Sequence, residues 1–215
     1  MDTSKAAPAG RRTAVIVGAS SGIGKEVALK LSGRGWRVYN LSRTPLSSER
    51  VKTMTADAAR EGELRRAILD IGTECGNLDL LVYSAGFSMA APIEYAAAGD
   101  YRYLFEVNYF GAVEAMKAAL PFLKKRGGRM ILIGSMGGEL PVPFDAFYSS
   151  SKAALAMLAR EVDMELRPVG VRVSAIPLPS SRQGEGMPFS APRAGCFPSA
   201  SPTGWCARNS ASLKT

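Results

Sequence analysis

The chain of 215 residues is 47% hydrophobic and 21% charged, the composition of a soluble globular protein with one main domain. It contains no histidine, which excludes histidine-based nucleophilic, acid–base and metal chemistry, and its three cysteines lack the spacing of a zinc or redox motif, so we predict no metal site. The formal charge of +8 lies mostly in residues 1–12 and 179–215, so we expect no nucleic-acid partner.

Six short apolar runs predict the strands of one β-sheet. They cover residues 14–17, 36–41, 51–54, 78–83, 130–133 and 171–176, and several are apolar at consecutive positions, as in strands covered on both faces. Helical periodicity predicts helices near 22–33, 59–74, 100–126 and 146–167, with a shorter helix-like connection around 44–50. This alternation predicts a doubly wound parallel α/β sheet with three layers, the Rossmann-like architecture.

The two ends of the chain differ in character from this middle part. We expect residues 1–12 to be a flexible leader, residues 13–178 to be the nucleotide-binding and catalytic domain, and residues 179–215, rich in proline, glycine and serine, to be a disordered tail. No apolar run approaches the roughly 18 residues of a membrane span, and the first residues lack the apolar core of a signal peptide. The sequence therefore predicts no membrane span and a cytoplasmic location.

A glycine-rich turn follows the first predicted strand directly and opens the first helix. It reads Gly18-Ala-Ser-Ser-Gly22-Ile-Gly24. Glycines leave room for backbone N–H groups and a helix amino terminus to approach a pyrophosphate, whose negative charge the helix dipole favours. The turn therefore predicts dinucleotide binding, although any tight strand-to-helix connection favours glycine as well.

Tyr148 and Lys152 lie four residues apart in a predicted helix, and Ser135 follows the apolar run at 130–133. Residues four apart are neighbours on one helix face, so the ammonium can favour the phenolate and make the tyrosine a proton donor at working pH. Ser135 could hold a carbonyl oxygen against the phenol. The pair is also compatible with a solvated helix face, because Tyr-x-x-x-Lys arises often by chance.

The end of the second predicted strand bears on the choice of cofactor. A carboxylate there would bind an adenosine ribose and select NAD(H), whereas an arginine can pair with a 2′-phosphate. The sequence has Ser42 and Arg43 at this turn and no acidic residue. We therefore predict NADP(H), with a surface arginine without a role as the alternative.

These motifs together resemble the short-chain dehydrogenase/reductase family over residues 13–177. The resemblance rests on the glycine turn, Asn108 within Val-Asn-Tyr-Phe-Gly, Ser135 and Tyr148-x-x-x-Lys152. It implies that Tyr148 is the general acid/base, that Ser135 orients the carbonyl, that Lys152 lowers the tyrosine pKa and binds the nicotinamide ribose, and that Asn108 holds a water in a proton relay. An asparagine has poor helix propensity, which favours a special role over a tolerated surface position.

The resemblance also implies the set of residues that bind the cofactor. Asp57, after the third strand, matches the family's adenine-contacting aspartate, with an ordinary helix N-cap as the alternative. The complete predicted set is Gly18, Ser20, Ser21, Gly22, Ile23, Gly24, Ser42, Arg43, Asp57, Ser84, Ala85 and Gly86, together with Tyr148 and Lys152.

Three positions depart from the family pattern. Val17 stands where threonine is common, and Ser84-Ala-Gly86 stands where Asn-Ala-Gly is usual, which predicts a less rigid loop or weaker cofactor contacts. After the sixth strand the family has a Pro-Gly turn, a substrate-covering lid and a last strand, whereas this chain reads Ile176-Pro-Leu-Pro. We therefore expect the lid and the last strand to be missing, and residues 179–215 to derive from a truncated, spliced or frame-shifted coding region.

The function predicted from these observations is an NADP(H)-dependent oxidoreductase that interconverts a carbonyl and an alcohol. The alternative is a dinucleotide-binding module with little or no turnover, because the substrate-covering segment is missing. The Gly-Gly and Pro-Phe pairs between residues 134 and 148 are similar to the 17β-hydroxysteroid and retinol dehydrogenase branch, which implies a bulky apolar substrate, although the same residues could be core packing. The family also implies a homo-oligomer formed through the helices at 100–126 and 146–167.

Overall fold

The computed structural model describes residues 11–178 of the chain. The predicted tail at 179–215 and all but the last two residues of the predicted leader lie outside the described residues. The predicted absence of a lid and a closing strand concerns the same tail, so it stays a prediction.

All six predicted strands form within the described residues and make one parallel sheet. They are β1 (Thr13–Val17), β2 (Arg37–Ser42), β3 (Val51–Thr55), β4 (Leu80–Tyr83), β5 (Arg129–Ile133) and β6 (Arg172–Ile176). Their order in the sheet is β3-β2-β1-β4-β5-β6, and every pairing is parallel. The chain winds outward from β1 in one direction and from β4 in the other, so the doubly wound architecture is confirmed. In such sheets, ligands bind where this direction reverses, outside the carboxyl ends of the strands.

Five α-helices flank the sheet in the part of the chain that the structure describes. They are α1 (Gly22–Gly33), α2 (Glu63–Cys75), α3 (Ala98–Phe105), α4 (Gly111–Leu123) and α5 (Ala146–Leu166). A π-helical segment, Glu106–Phe110, joins α3 to α4, so the predicted helix at 100–126 is one long helix with a π-helical bulge. Short 3₁₀ turns occur at Ile93–Tyr95, Met136–Gly138 and Arg167–Val169.

Two expected helical stretches differ from the structure. Residues 44–50 contain no helix, because this connection is held by side chains instead: the Ser42 hydroxyl donates to the Thr44 carbonyl at 2.6 Å, and Thr53 Oγ1 accepts from Leu46 N at 3.3 Å. The helix predicted from residue 59 begins at Glu63, because the preceding residues form a turn that ends at Gly62 with φ +79°.

The core forms on both faces of the sheet, because successive strand side chains point to opposite sides. One face, covered by α2, α4 and α5, buries Val15, Val17, Tyr39, Leu41, Leu81 and Tyr83. The other face, covered by α1, buries Ala14, Ile16, Val38, Leu80 and Val82. Within residues 11–178, no helix has the length and hydropathy that a membrane crossing requires.

Candidate active site

The glycine turn packs directly against the loop that follows β4. Gly18 has φ +85°, and a Cβ on it would lie 2.6 Å from Ala85 N and 3.0 Å from the Ser84 carbonyl carbon. A Cβ on Gly24 would collide with the Gly18 carbonyl oxygen. Because the backbones approach this closely, glycine is required at both positions. The turn and the Ser84-Ala-Gly86 loop therefore lie side by side at the carboxyl ends of β1 and β4.

The amino terminus of α1 is open to an anion. Ser21 is the N-cap residue, but its side chain makes no capping hydrogen bond, and the first turn contains no acidic residue. No atom lies within 4 Å of the position that a Cβ of Gly22 would occupy, Ser21 is exposed and Ser20 is half-buried, and the Ile23 side chain is 47% exposed. The free N–H groups of this first turn are thus accessible at the place predicted for the pyrophosphate.

The two residues predicted to read the 2′-phosphate have different surroundings. Ser42 is buried, and its hydroxyl hydrogen is donated to Thr44, as described above. Arg43 is exposed, and its Nη1 donates to the hydroxyl of Tyr103 in α3 at 3.2 Å. The guanidinium has five N–H donors, so most of them stay available beside the end of β2.

Asp57 supports its own turn after β3. Its Oδ1 accepts from Ala59 N at 3.0 Å, while its backbone N–H donates to Glu63 Oε2 at 2.8 Å. It does not cap α2, whose N-cap residue is Gly62. The structure therefore gives Asp57 a local turn-stabilising role, and contact with an adenine stays a prediction.

Asn108 is completely buried in the π-helical segment. Its Oδ1 accepts from Phe87 N and its Nδ2 donates to Phe87 O, both at 3.0 Å, so the side chain pairs with the backbone of the loop after β4 as a strand would. The second Nδ2 hydrogen is donated to Ser151 Oγ at 3.1 Å. These three hydrogen bonds explain why an asparagine, which has poor helix propensity, stands in a helical segment. π-Helical bulges of this kind occur often at functional sites.

Ser135 and Tyr148 lie on either side of Gly137. The position that a Cβ of Gly137 would occupy is 3.5 Å from Ser135 Oγ and 3.8 Å from Tyr148 Cε1. Ser135 is buried, and its Oγ accepts from Gly137 N at 3.1 Å, which leaves its hydroxyl hydrogen without an acceptor among the described residues. The serine is therefore poised to donate a hydrogen bond towards the space next to the phenol.

The Gly-Gly pair has a packing role. A Cβ on Gly138 would lie 2.9 Å from both Ala153 N and the Lys152 carbonyl carbon, so only glycine lets this turn approach the second turn of α5. The sequence pattern likened the Gly-Gly pair to the 17β-hydroxysteroid and retinol dehydrogenase branch of the family. The close approach of this turn to α5 explains the glycine at 138 without reference to a substrate.

Lys152 is the charged centre of the site. It is 5% exposed, its Nζ donates to the Ile133 carbonyl at 3.0 Å, and the same atom lies 5.9 Å from the centroid of the Tyr148 ring. Burial lowers the pKa of Lys152 from 10.5 to about 8. A Cβ on Gly86 would lie 3.2 Å from Lys152 Nζ and 3.1 Å from Asn108 Oδ1, so the glycine keeps the space that faces both groups open.

The chain after β6 runs beside the Ser135 loop. The Ile176 carbonyl accepts from Gly134 N and the Leu178 carbonyl accepts from Met136 N, both at 2.9 Å. The two residues after β6 therefore continue along the loop that carries Ser135, at the position where the family pattern has its Pro-Gly turn.

The structure thus brings the predicted site residues to one edge of the sheet in two groups. The predicted catalytic residues, Asn108, Ser135, Tyr148 and Lys152, lie together beyond β4 and β5. The predicted cofactor residues of the glycine turn and of the loop after β4 lie side by side next to them, and Arg43 is exposed at the end of β2, whereas Ser42 and Asp57 bond within their own turns.

Sequence reasoning missed two polar residues, one within each of these groups. Ser151 is completely buried, accepts from Asn108 and donates to the Tyr148 carbonyl at 2.7 Å. Asn40 is completely buried within β2, and its Oδ1 accepts from Ala19 N in the glycine turn at 3.0 Å. A polar residue inside an otherwise buried strand was the available signal for Asn40.

A parallel sheet whose winding reverses between β1 and β4, with a glycine turn at the carboxyl end of β1, defines the class of doubly wound nucleotide-binding proteins. Within this class, residues 12–181 match the family model described as short chain dehydrogenase. The chain belongs to this family, and the resemblance inferred from its motifs is confirmed.

The match to known relatives covers only part of the length of each relative. The 3-ketodihydrosphingosine reductase of Bacteroides thetaiotaomicron is 34% identical over 164 residues, which cover 75% of this chain and 61% of the relative. The 11-beta-hydroxysteroid dehydrogenase type 2 of Oryctolagus cuniculus is 36% identical over 182 residues, 79% of this chain and 45% of the relative. The solved structure of ElxO with NADP bound is 26% identical and superposes with a TM-score of 0.74, covering 79% of this chain and 73% of that chain. This chain therefore spans less than two thirds of the length of both curated relatives.

Proposed function

We propose that the chain is an NADP(H)-dependent oxidoreductase that interconverts a carbonyl and an alcohol, with Tyr148 as the general acid/base. The observation that carries this proposal is that Ser135 Oγ and the Tyr148 ring lie beside the same glycine, Gly137, while Lys152 Nζ lies 5.9 Å from the centroid of that ring. Each group supplies a different part of one reaction.

The roles follow from what each side chain has free. Ser135 donates its unused hydroxyl hydrogen to the carbonyl oxygen, and Tyr148 gives or takes the proton on that oxygen. Lys152 brings a positive charge to this site from a position fixed by Ile133. Asn108 keeps the π-helical segment and the Phe87 backbone in register, and a water of the proton relay would occupy the space that Gly86 leaves open in front of Asn108 and Lys152.

The residues around the crevice fit a dinucleotide. The open first turn of α1 would hold the pyrophosphate, and the close approach of Gly18 to Ala85 keeps side chains out of the crevice. When bound, the nicotinamide would supply or accept the hydride. Lys152 would bind the nicotinamide ribose.

Arg43 is the basis for proposing NADP(H) rather than NAD(H). Its guanidinium is exposed at the end of β2 and donates to the hydroxyl of Tyr103, and the turn at Ser42 and Arg43 has no carboxylate. ElxO, which carries NADP in its solved structure, supports the same choice.

Arg43→Ala should raise the Kd for NADPH by about 10- to 100-fold, the range for losing a charged hydrogen bond, and leave the Kd for NADH unchanged. Arg50→Ala, which removes an exposed arginine from the same connection, is the control. If Arg43→Ala lowers the affinity for NADPH and for NADH equally, the assignment of Arg43 to the 2′-phosphate is contradicted.

An apolar substrate is the class that the surroundings of Tyr148 favour. The loop before α5 exposes Leu140 and Phe144, 51% and 43% accessible, and the Phe144 carbonyl accepts from Ala91 N at 2.8 Å, which joins this loop to the one after β4. Phe144 also adopts φ +67°, a strained conformation for a bulky residue, and such conformations cluster at active sites and ligand clamps. Two of the relatives are named for a ketodihydrosphingosine and a hydroxysteroid, both largely hydrocarbon molecules.

A homo-oligomer is proposed on the exposed apolar side chains of the helices that the family pairs. Phe110 beside α4 and Met157 and Met164 on α5 are 50%, 51% and 65% exposed. Sedimentation of the purified chain tests this, and a monomer at micromolar concentration would contradict it.

The test of the function uses purified protein, NADPH and a panel of apolar ketones. Binding of NADPH together with ketone-dependent oxidation, abolished in Tyr148→Phe, supports the enzyme. Binding without oxidation, unchanged by the same substitution, supports instead the dinucleotide-binding module without turnover. Absence of NADPH and NADH binding would contradict both.

A further inference from the structure

A completely buried asparagine in β2 connects the two parts of the cofactor crevice. Asn40 has no exposed surface and lies in a strand whose last five residues are all buried, where an apolar side chain would serve the core equally well. Burying an amide is unfavourable unless its polar atoms are hydrogen-bonded. Asn40 satisfies this condition with three bonds, one to the glycine turn, one to the end of β2 and one to β3.

The first bond fixes the glycine turn. Asn40 Oδ1 accepts from Ala19 N at 3.0 Å, and the neighbouring Leu41 carbonyl accepts from Gly18 N at 2.8 Å. Two consecutive residues of β2 thus hold two consecutive residues of the turn. Because Gly18 is in the left-handed region, its conformation depends on such anchors, and the N–H groups that follow it are aimed by them.

The other two bonds fix the connection that carries the arginine. Asn40 Nδ2 donates to Ser42 Oγ at 2.9 Å and to Thr53 Oγ1 at 3.3 Å. Ser42 passes its own hydrogen to the Thr44 carbonyl, and Thr53 accepts from Leu46 N. Both ends of the segment from 42 to 46 are therefore tied to one amide group.

We propose that Asn40 is a positioning residue that aligns the glycine turn with the segment from 42 to 46, and thereby sets cofactor affinity and the preference for the 2′-phosphate. The inference rests on the proposed function, since it concerns how the same crevice binds NADP(H). Asn40 would contact neither phosphate, because its side-chain bonds are made to Ala19, Ser42 and Thr53. It acts through Ala19 on the pyrophosphate end and through Ser42 and Thr53 on the end that carries Arg43.

The test is the Kd of NADPH and of NADH, measured by titration calorimetry on the full chain. Asn40→Leu removes all three bonds at similar volume, and we expect its Kd for NADPH to rise about tenfold, as for one lost well-placed hydrogen bond, with a smaller rise for NADH. Asn77→Leu is the matched control, because Asn77 also bonds a neighbouring polar side chain, Asp79, but lies at the opposite edge of the sheet, before β4. This control should keep both Kd values.

Thr53→Val keeps the test decisive where Asn40→Leu folds poorly. It removes only the acceptor shared by Asn40 and Leu46, so it should weaken NADPH binding more than NADH binding while the far-ultraviolet circular dichroism stays native. A simple loss of stability would not change the ratio of the two Kd values at a temperature where the protein is folded. An unchanged ratio in both variants, or equal losses in Asn40→Leu and Asn77→Leu, overturns the proposal, whereas a wild-type chain that binds neither cofactor overturns the proposed function instead.

Discussion

The buried ammonium of Lys152 lowers the stability of the fold at neutral pH, and the size of this effect can be worked out. Lys152 is 5% exposed and burial lowers its pKa from 10.5 to about 8, so the folded protein binds this proton less tightly than the unfolded chain does. The unfavourable contribution is fully present below about pH 8 and disappears as the pH rises towards 10.5. At about 1.4 kcal/mol for each pKa unit, it amounts to about 3 kcal/mol at pH 7.

Replacing Lys152 with methionine removes the charge and keeps most of the volume. It also removes the hydrogen bond to Ile133, which stabilises by about 1 kcal/mol, so Lys152→Met should gain about 2 kcal/mol in the free energy of unfolding at pH 7. At pH 10 the gain should fall to near zero, because wild-type Lys152 is then mostly neutral in the folded protein. Lys125→Met is the control, since the exposed Lys125 donates to the Gly76 carbonyl at 2.7 Å and has no burial to relieve.

Urea unfolding without cofactor at the two pH values measures this difference directly. A Lys152→Met protein that is less stable than wild type at pH 7, or that gains equally at pH 7 and pH 10, would refute the reasoning. The expected result pairs a gain of stability with a loss of turnover, the opposition that is common where a strained group serves a functional site.

Two further substitutions test the crevice and the edge of the sheet. Gly18→Ala should lose NADPH binding and lower the melting temperature, because its Cβ would lie 2.6 Å from Ala85 N at a positive φ. Gly33→Ala is the control: its Cβ would have open space around it, so this variant should bind NADPH as wild type does. Equal effects of the two substitutions would contradict the close approach of Gly18 to Ala85. Asp163→Asn should lower the urea midpoint at pH 7, because the carboxylate accepts from Arg167, Arg172 and Val173 N, bonds that hold its pKa well below 3.8. This stabilisation is present above the pKa of Asp163 in the unfolded chain and is lost as the pH falls below that value. The difference in urea midpoint between Asp163→Asn and wild type should therefore shrink below about pH 4. A difference in urea midpoint that does not change with pH would refute this account.

Local patterns were enough to predict the strands and most helices of the described part. The apolar runs and the glycine turn depend on short-range rules, so α1 and α5 begin at the predicted residues, 22 and 146. The prediction of a helix-like connection at 44–50 was wrong, because the conformation of this segment depends on Thr53, a residue of the next strand. The π-helical bulge could not be predicted because it depends on the pairing of Asn108 with the Phe87 backbone, 21 residues away.

Some site residues could likewise be predicted from local patterns, whereas others depend on contacts between distant parts of the chain. Tyr148 and Lys152 could be paired from their spacing alone, because a helix fixes that relation. The bond between Arg43 and Tyr103 joins residues 60 positions apart, and no local rule connects them. The role of Asn40 depends on the turn after β1 and on β3 at once, so only the assembled sheet reveals it.

The most direct test of the proposed function compares ketone-dependent NADPH oxidation by wild type, Tyr148→Phe and Tyr109→Phe on the full chain. Tyr109 is a half-buried tyrosine without a proposed role, so its variant controls for the general effect of losing a phenol. We expect wild type and Tyr109→Phe to oxidise NADPH at similar rates, and Tyr148→Phe to bind NADPH normally while losing at least about 100-fold in kcat, the lower end for a general acid. NADPH oxidation by Tyr148→Phe at the wild-type rate would contradict the assignment of Tyr148 as the proton donor.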